Sequence, residues 1–333
     1  MTRLRIDVHC HFMPDFYREA LIAAGQSRPD GIAALPDWCE DDMLRAMDDL
    51  GIERAYLSIS SPGVHFGDDS AARKLARRVN EEGARLVRAY PGRFGFFAST
   101  PLPDVAGTLD EIAFAFDELG ADGVIFETNF HGLYLGDNAL APVYRELDRR
   151  GAVLFLHPTA PGCSCGCGQY PGQHFDYPAP MMEFIFDTTR SVTNMVLSGT
   201  LDRFPNLHVI VPHAGAALPI LAARIDLIGP MLTAPGAPRP PSMRDALRRF
   251  HFDLAGVPVP QMLDALLSVA DPQHLHFGSD WPFTPTAVCK ALSDALDGAV
   301  QLDGTLRTDV YRNNALRLFT NAATLRRTEA VSR

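Results

Sequence analysis

The chain predicts a single-domain α/β fold, a (β/α)8 barrel of the TIM type, and three observations carry that prediction. Eight short apolar runs of β-type residues alternate with segments of helical period along the 333 residues. Runs such as Ala152-Val153-Leu154-Phe155-Leu156 and His208-Val209-Ile210-Val211 are apolar without alternation, as parallel strands covered on both faces should be. No composition break divides the chain, and a barrel fills this length as one domain. A doubly wound sheet is the competing arrangement. It is weaker because the glycine-rich turns after strands lack the Gly-x-Gly-x-x-Gly spacing that a dinucleotide needs.

Taken in order, strands are expected near 3–9, 54–60, 94–100, 123–128, 152–157, 208–213, 250–255 and 275–279, each an apolar run closed by a Gly/Pro-rich break. Helical spacing fills the intervals at 40–50, 68–90, 104–119, 138–150, 180–199, 216–228, 259–270 and 285–297, with a last helix at about 306–321. Residues 12–39 form a small insertion after the first strand, and 158–180 is a loop rich in Pro, Gly and Cys. Residues 229–241 hold five prolines and read as an irregular connection, with a helix starting near Ser242. The barrel is expected to span 1–322, followed by a frayed tail at 323–333.

Composition excludes several classes. A net charge of −10 with no Lys/Arg cluster argues against a nucleic-acid surface. The start Met1-Thr2-Arg3-Leu4-Arg5 lacks an apolar signal core, and no apolar run is expected to reach membrane-spanning length, so a soluble cytoplasmic protein without membrane partners is the expectation. Six cysteines, scattered except for Cys163, Cys165 and Cys167, imply no disulfide framework.

The chemistry lies at strand ends. His9 and His11 close the first strand, His157 the fifth and His213 the sixth, and Asp280 follows the eighth. Alternate residues of a strand face one side, so His9 and His11 point together while Cys10 faces away. All four strands open on the same rim, where barrel enzymes keep their chemistry. Imidazoles with one carboxylate suit Zn²⁺, and Mn²⁺, Fe²⁺ or Co²⁺ fit the same set. His9, His11, His157 and Asp280 with a water complete an open site. His213 reads as a fifth ligand or as an acid/base that positions that water. Asp280 can also carry a proton. Phe12, Trp281 and Phe283 are candidate aromatic walls for a flat substrate, with core packing the equal alternative.

The Asp-x-His-x-His start, the His157-Pro158 pair, Pro212-His213-Ala214-Gly215 and Phe277-Gly278-Ser279-Asp280-Trp281-Pro282-Phe283 resemble the amidohydrolase superfamily. Within it the chain is similar to the aminocarboxymuconate-semialdehyde decarboxylase branch. The stretches 60–64 and 90–99 look like those of 6-methylsalicylate decarboxylases. The resemblance implies His9, His11, His157 and Asp280 as ligands of one metal, and His213 as the residue that activates water or relays a proton. It implies a homodimer in which Arg224, eleven residues after His213, reaches a neighbouring subunit's substrate carboxylate. Ile125-Phe126-Glu127 stands where a bridging carboxylated lysine would lie, which fits the mononuclear decarboxylases. Only Arg18 and Arg28 occur in 12–39, neither in the context of that branch's second carboxylate-binding arginine, which favours a mono-acid substrate.

The expected activity is nonoxidative decarboxylation of a small aromatic or enoic acid, the ring carbon being protonated before CO2 leaves. A hydrolase or hydratase using metal-bound water on a lactone, amide or conjugated acid is the alternative. The Cys163–Cys167 run reads as a substrate lid, with incidental thiols or a soft-metal site as the other options. His65, His131 and His174 are within reach of the pocket and are expected to be surface or hydrogen-bonded structural residues. His208, His251, His274 and His276 are expected to be structural, and Asp187 with Arg190 a helix-surface ion pair.

Overall fold

A computed structural model describes residues 4–162 and 176–320. Its strands are β1 (Arg5–His11), β2 (Ile52–Ser58), β3 (Phe94–Ala98), β4 (Gly123–Glu127), β5 (Asn129–Phe130), β6 (Leu133–Tyr134), β7 (Val153–His157), β8 (His208–Val211), β9 (His251–Asp253) and β10 (Leu275–His276). All except β5 and β6 form one parallel sheet in the order β1-β2-β3-β4-β7-β8-β9-β10. Bridges Asp7–Phe277 and Cys10–Trp281 bring the last strand back to the first. The eight expected strands are all present, with ends moved by at most three residues. The β5–β6 hairpin was not expected: two-residue strands are too short to leave a periodic signal.

Two apolar layers follow from buried strands. Inside the barrel, Ile6, Val8, Tyr56, Phe97, Ile125, Val153, Phe155 and Ile210 pack with Leu318 and Phe319 of the C-terminal helix. Phe319 stacks on Tyr56 at 3.7 Å between ring centres, so this helix plugs the barrel floor. The larger layer lies between strands and helices. In the insertion, helix Asp15–Ala23 buries Tyr17 and Leu21. Helix Met243–Arg249 begins where expected, with the Ser242 hydroxyl accepting from the Asp245 N–H.

Two expectations change. Asp187 is fully buried, not a surface partner of Arg190 alone. Its carboxylate accepts from Thr128 Oγ1, Asn129 Nδ2 at 2.9 Å, Tyr134 OH at 2.6 Å and Arg190 at 2.7 Å, tying the β5–β6 hairpin to helix Glu183–Leu197. Spacing along one helix could not reveal donors that arrive from another element.

The stretch His213–Leu232, 20 residues at mean hydropathy 1.4, is long and apolar enough to cross a membrane by length and composition alone. This corrects the expectation that no run reaches that length. In the fold it begins with a turn, and helix Leu218–Leu232 packs Leu218, Pro219 and Ala222 onto the barrel, while Ile220, Leu227, Met231 and Leu232 are exposed. The run Cys163–Cys167 and His174 lie outside the described residues, as does the whole of the expected tail.

Candidate metal centre

The barrel rim brings His9, His11, His157 and Asp280 together, with one donor atom from each all within 4.8 Å of one another. It is the one such group of three or more donors among the described residues. β1 supplies two imidazoles from alternate positions, with ring centres 5.0 Å apart, while Cys10 is buried in the outer layer. His157 ends β7, and Asp280 lies four residues beyond β10. Gly278 permits that approach, because a Cβ there would lie 2.9 Å from the Cβ of His9. Asp7 joins the two segments by accepting the N–H groups of His9 and Ser279.

Each histidine is oriented by a bond at Nδ1. His9 Nδ1 donates to Asp253 Oδ2 at 2.9 Å, and His157 Nδ1 donates to the Pro158 carbonyl at 2.7 Å. His11 Nδ1 lies 3.3 Å from the Ser58 carbonyl and 3.0 Å from Ser58 Oγ. The Nε2 atoms therefore face one point, as metal-binding imidazoles held by outer partners do. Those of His9 and His11 are buried without a hydrogen-bond partner among the described residues. They lie 3.4 and 3.2 Å from Asp280 Oδ1. Buried orphan nitrogens around a carboxylate are the donor set a divalent cation requires, so the residues fit such an ion.

The electrostatics agree. Burial pushes the Asp280 carboxyl upward, but His9, His11 and His213 outweigh it and hold it well below the ordinary range. Burial lowers His157 far below its usual value, with His11 and His9 adding to the effect, and burial lowers His11 as well. For His9, burial acts downward, yet Asp253 and Asp280 together raise the imidazole to about 10. Two carboxylates thus demand positive charge at this point, and a metal ion satisfies it in place of a proton.

His213 stands beside the cluster, its ring 5.1 Å from that of His9 and its Nε2 3.9 Å from Asp280 Oδ2. Its backbone N–H donates to Asp253 Oδ1. Both His213 and Asp280 sit in the left-handed backbone region, at φ 55° and 60°. Non-glycine residues rarely adopt it, and such strain concentrates at functional sites.

The aromatic candidates separate. Phe283 meets His11 edge to face at 5.6 Å. Phe12 is instead buried in the outer layer against Trp38, where the strand's alternation turns it away from the rim. Trp281 is also buried, its Nε1 donating to Thr286 and its carbonyl accepting from His11 N–H. Arg224 is exposed on helix Leu218–Leu232 and is not among the four residues of the cluster. His65, half-buried, bridges His131 and Asp69 at 2.9 Å each, as a hydrogen-bonded structural residue does.

Asp253 is the functional residue that the strand-end reading missed. It closes β9 after a short apolar run, and the same rule applied to the seventh strand would have found it. Asp253→Asn is expected to weaken metal affinity about 10- to 100-fold, because the neutral amide no longer orients and polarises His9. Competition against a chromophoric chelator measures this, and an unchanged affinity would remove Asp253 from the site.

Glu127 ends β4 beside the cluster, its Oε2 3.6 Å from His157 Nδ1. Burial, reinforced by Asp30, pushes its carboxyl well above the ordinary range.

Comparison with known proteins places these features in context. The family described as Amidohydrolase matches residues 6–320. The 6-methylsalicylic acid decarboxylase of Aspergillus aculeatus is 36% identical, over 98% of each chain. That of Penicillium expansum is 35% identical, over 95% of this chain and 96% of its own. A solved structure described as an amidohydrolase II superposes with a TM-score of 0.87 at 35% identity, covering 95% of this chain and 99% of that one. A 2,6-dihydroxybenzoate decarboxylase in complex with 2,6-dihydroxybenzoate gives a TM-score of 0.78 at 25% identity, covering 96% and 99%.

Proposed function

The chain belongs to the amidohydrolase family, and on that premise we propose that it is a metal-dependent, nonoxidative decarboxylase of small aromatic acids of the 6-methylsalicylate type. The observation that carries the reading is the His9/His11/His157/Asp280 cluster with its orphaned, inward-facing nitrogens. Near full-length similarity to two 6-methylsalicylic acid decarboxylases supports an ortho-hydroxy mono-acid as substrate. Three imidazoles and one carboxylate favour Zn²⁺, with Mn²⁺ the alternative. When bound, the ion supplies an electrophilic anchor for the substrate carboxylate and its neighbouring oxygen.

The chain's own residues do the rest. Asp253, Ser58 and the Pro158 carbonyl hold the three ligand rings in register. Asp280 and His213 face one another and form the proton-handling pair. A proton passes to the ring carbon that bears the carboxylate, and the C–C bond then breaks. Its electron pair returns to the ring, so the products are CO2 and the decarboxylated arene. Phe283 forms an apolar wall beside His11. The exposed apolar face of Ile220, Leu227, Met231 and Leu232 supports a homodimer, in which Arg224 extends from the same helix toward the neighbour's substrate carboxylate. The chain acts in the cytoplasm.

The test is CO2 release. Metal-loaded enzyme is expected to liberate one CO2 per 6-methylsalicylate consumed, with 3-methylphenol as co-product. Ester or lactone cleavage without CO2 from any hydroxybenzoate would assign the site to hydrolysis instead.

A further inference from the structure

The opposite end of the barrel holds a pocket of different chemistry. A cavity of about 370 Å³ lies where β8 and β9 begin and just before β10, at the far end of the strands from the metal rim. Three arginines and three histidines line it: Arg248, Arg249, Arg317, His208, His251 and His274. No Asp or Glu among the described residues does. The chain carries 40 acidic residues against 30 Lys and Arg, so this grouping runs against its overall balance.

These groups are held in place without being neutralised inside the cavity. Arg249 donates to Asp202 Oδ1 at 2.9 Å and to the Leu201 carbonyl at 2.8 Å, and Arg317 lies 3.8 Å from Asp309. Neither Asp202 nor Asp309 lines the cavity. The Arg248 guanidinium has no hydrogen bond or ion pair among the described residues. His274 Nδ1 donates to the Arg248 carbonyl at 3.1 Å, and His251 Nδ1 pairs with His276 Nε2 at 3.0 Å. Nε2 of His251 and His274, and both ring nitrogens of His208, have no hydrogen-bond partner among the described residues.

The charge balance is the reverse of that at the metal rim. There, two carboxylates raise His9 and call for a cation. Here, burial lowers the imidazoles of His208 and His251, and neighbouring histidines lower them further. Such a cluster gains from a bound anion. A guanidinium fork pairs two N–H groups with two oxygens of one phosphate, and imidazoles can engage the remaining oxygens. The volume exceeds what a bare phosphate fills, and Leu201, Leu207, Phe250 and Leu318 offer apolar wall to an organic remainder.

We propose that this pocket on the barrel floor is an anion site that binds a phosphate group, free or as the head of a small phosphate monoester, between Arg248, Arg317 and the histidines His208, His251 and His274. The ligand would tie helix Met243–Arg249 to the C-terminal helix that plugs the floor.

Calorimetric titration of the metal-loaded protein with inorganic phosphate and with glycerol 3-phosphate, at low ionic strength, tests the proposal. Wild type is expected to bind one equivalent per chain, and its melting temperature should rise as the ligand is added. Arg248→Glu is expected to weaken binding at least about tenfold, the scale of one lost charge-assisted hydrogen bond. Arg244→Glu makes the same charge change on the same helix outside the cavity, and should weaken it less than about twofold. Both positions are exposed, so both variants should fold and, without phosphate, melt close to wild type. Tighter binding of glycerol 3-phosphate would support the site and assign it to an ester, and equal affinity would support it with free phosphate as a sufficient ligand. The absence of saturable binding by either probe would overturn the proposal. So would equal losses in the two variants, or binding that survives Arg248→Glu but disappears when the metal is removed, since phosphate would then sit at the rim.

Discussion

Asp280→Asn is expected to reduce CO2 release by about 10³-fold, within the range that positioned proton transfer contributes. The carboxylate has two proposed duties, and the substitution would impair both. Oδ1 stands 3.2 and 3.4 Å from the Nε2 atoms of His11 and His9, where it supplies the negative charge of the ligand set. Oδ2 faces His213 at 3.9 Å, the pair proposed above to handle the proton. An amide keeps the size and loses both the charge and the basicity. Asparagine is the right probe because Asp280 occupies φ 60°, a region that Asn and Asp tolerate better than Ala. The variant should therefore fold, with a melting temperature close to the wild-type value in the metal-free state. Full activity in Asp280→Asn would refute the role assigned to this residue.

Stripping the metal is expected to abolish CO2 release, and adding Zn²⁺ or Mn²⁺ to the verified metal-free enzyme should restore it. The physical basis is the charge balance inside the rim. Asp253 and Asp280 flank His9 and raise it to about 10, while the Nε2 atoms of His9 and His11 find no hydrogen-bond partner among the described residues. An ion that binds only the folded chain also stabilises it, by about 2.7 kcal/mol at a hundredfold excess over its dissociation constant. Melting temperature should accordingly rise as the ion is titrated back. Unchanged turnover after chelation, with elemental analysis showing no residual metal, would exclude the metal-dependent reading. The ion that restores the greater rate separates zinc from manganese.

Much of this was legible in the chain, and the reasons are local. Strands buried on both faces must be apolar throughout, so 152–156 and 208–211 announced a parallel sheet. Backbone alternation paired His9 with His11 and turned Cys10 away. Parallel strands that all end on one rim then gathered His157, His213 and Asp280. Arg224 followed from a likeness to other sequences, not from any pattern of strand ends.

What remained hidden depended on contacts between distant segments. Asp253 meets His9 across 244 positions of sequence, and Asp187 collects donors from Thr128, Asn129 and Tyr134. Phe12 was a plausible wall until the packing against Trp38 placed it in the outer layer. Periodicity and residue chemistry act over a few positions, so the barrel, the rim and the ligand types could be read along the chain. Tertiary structure alone decided which atoms face one another, because hydrogen bonds, burial and charge balance depend on distances that chain order does not encode.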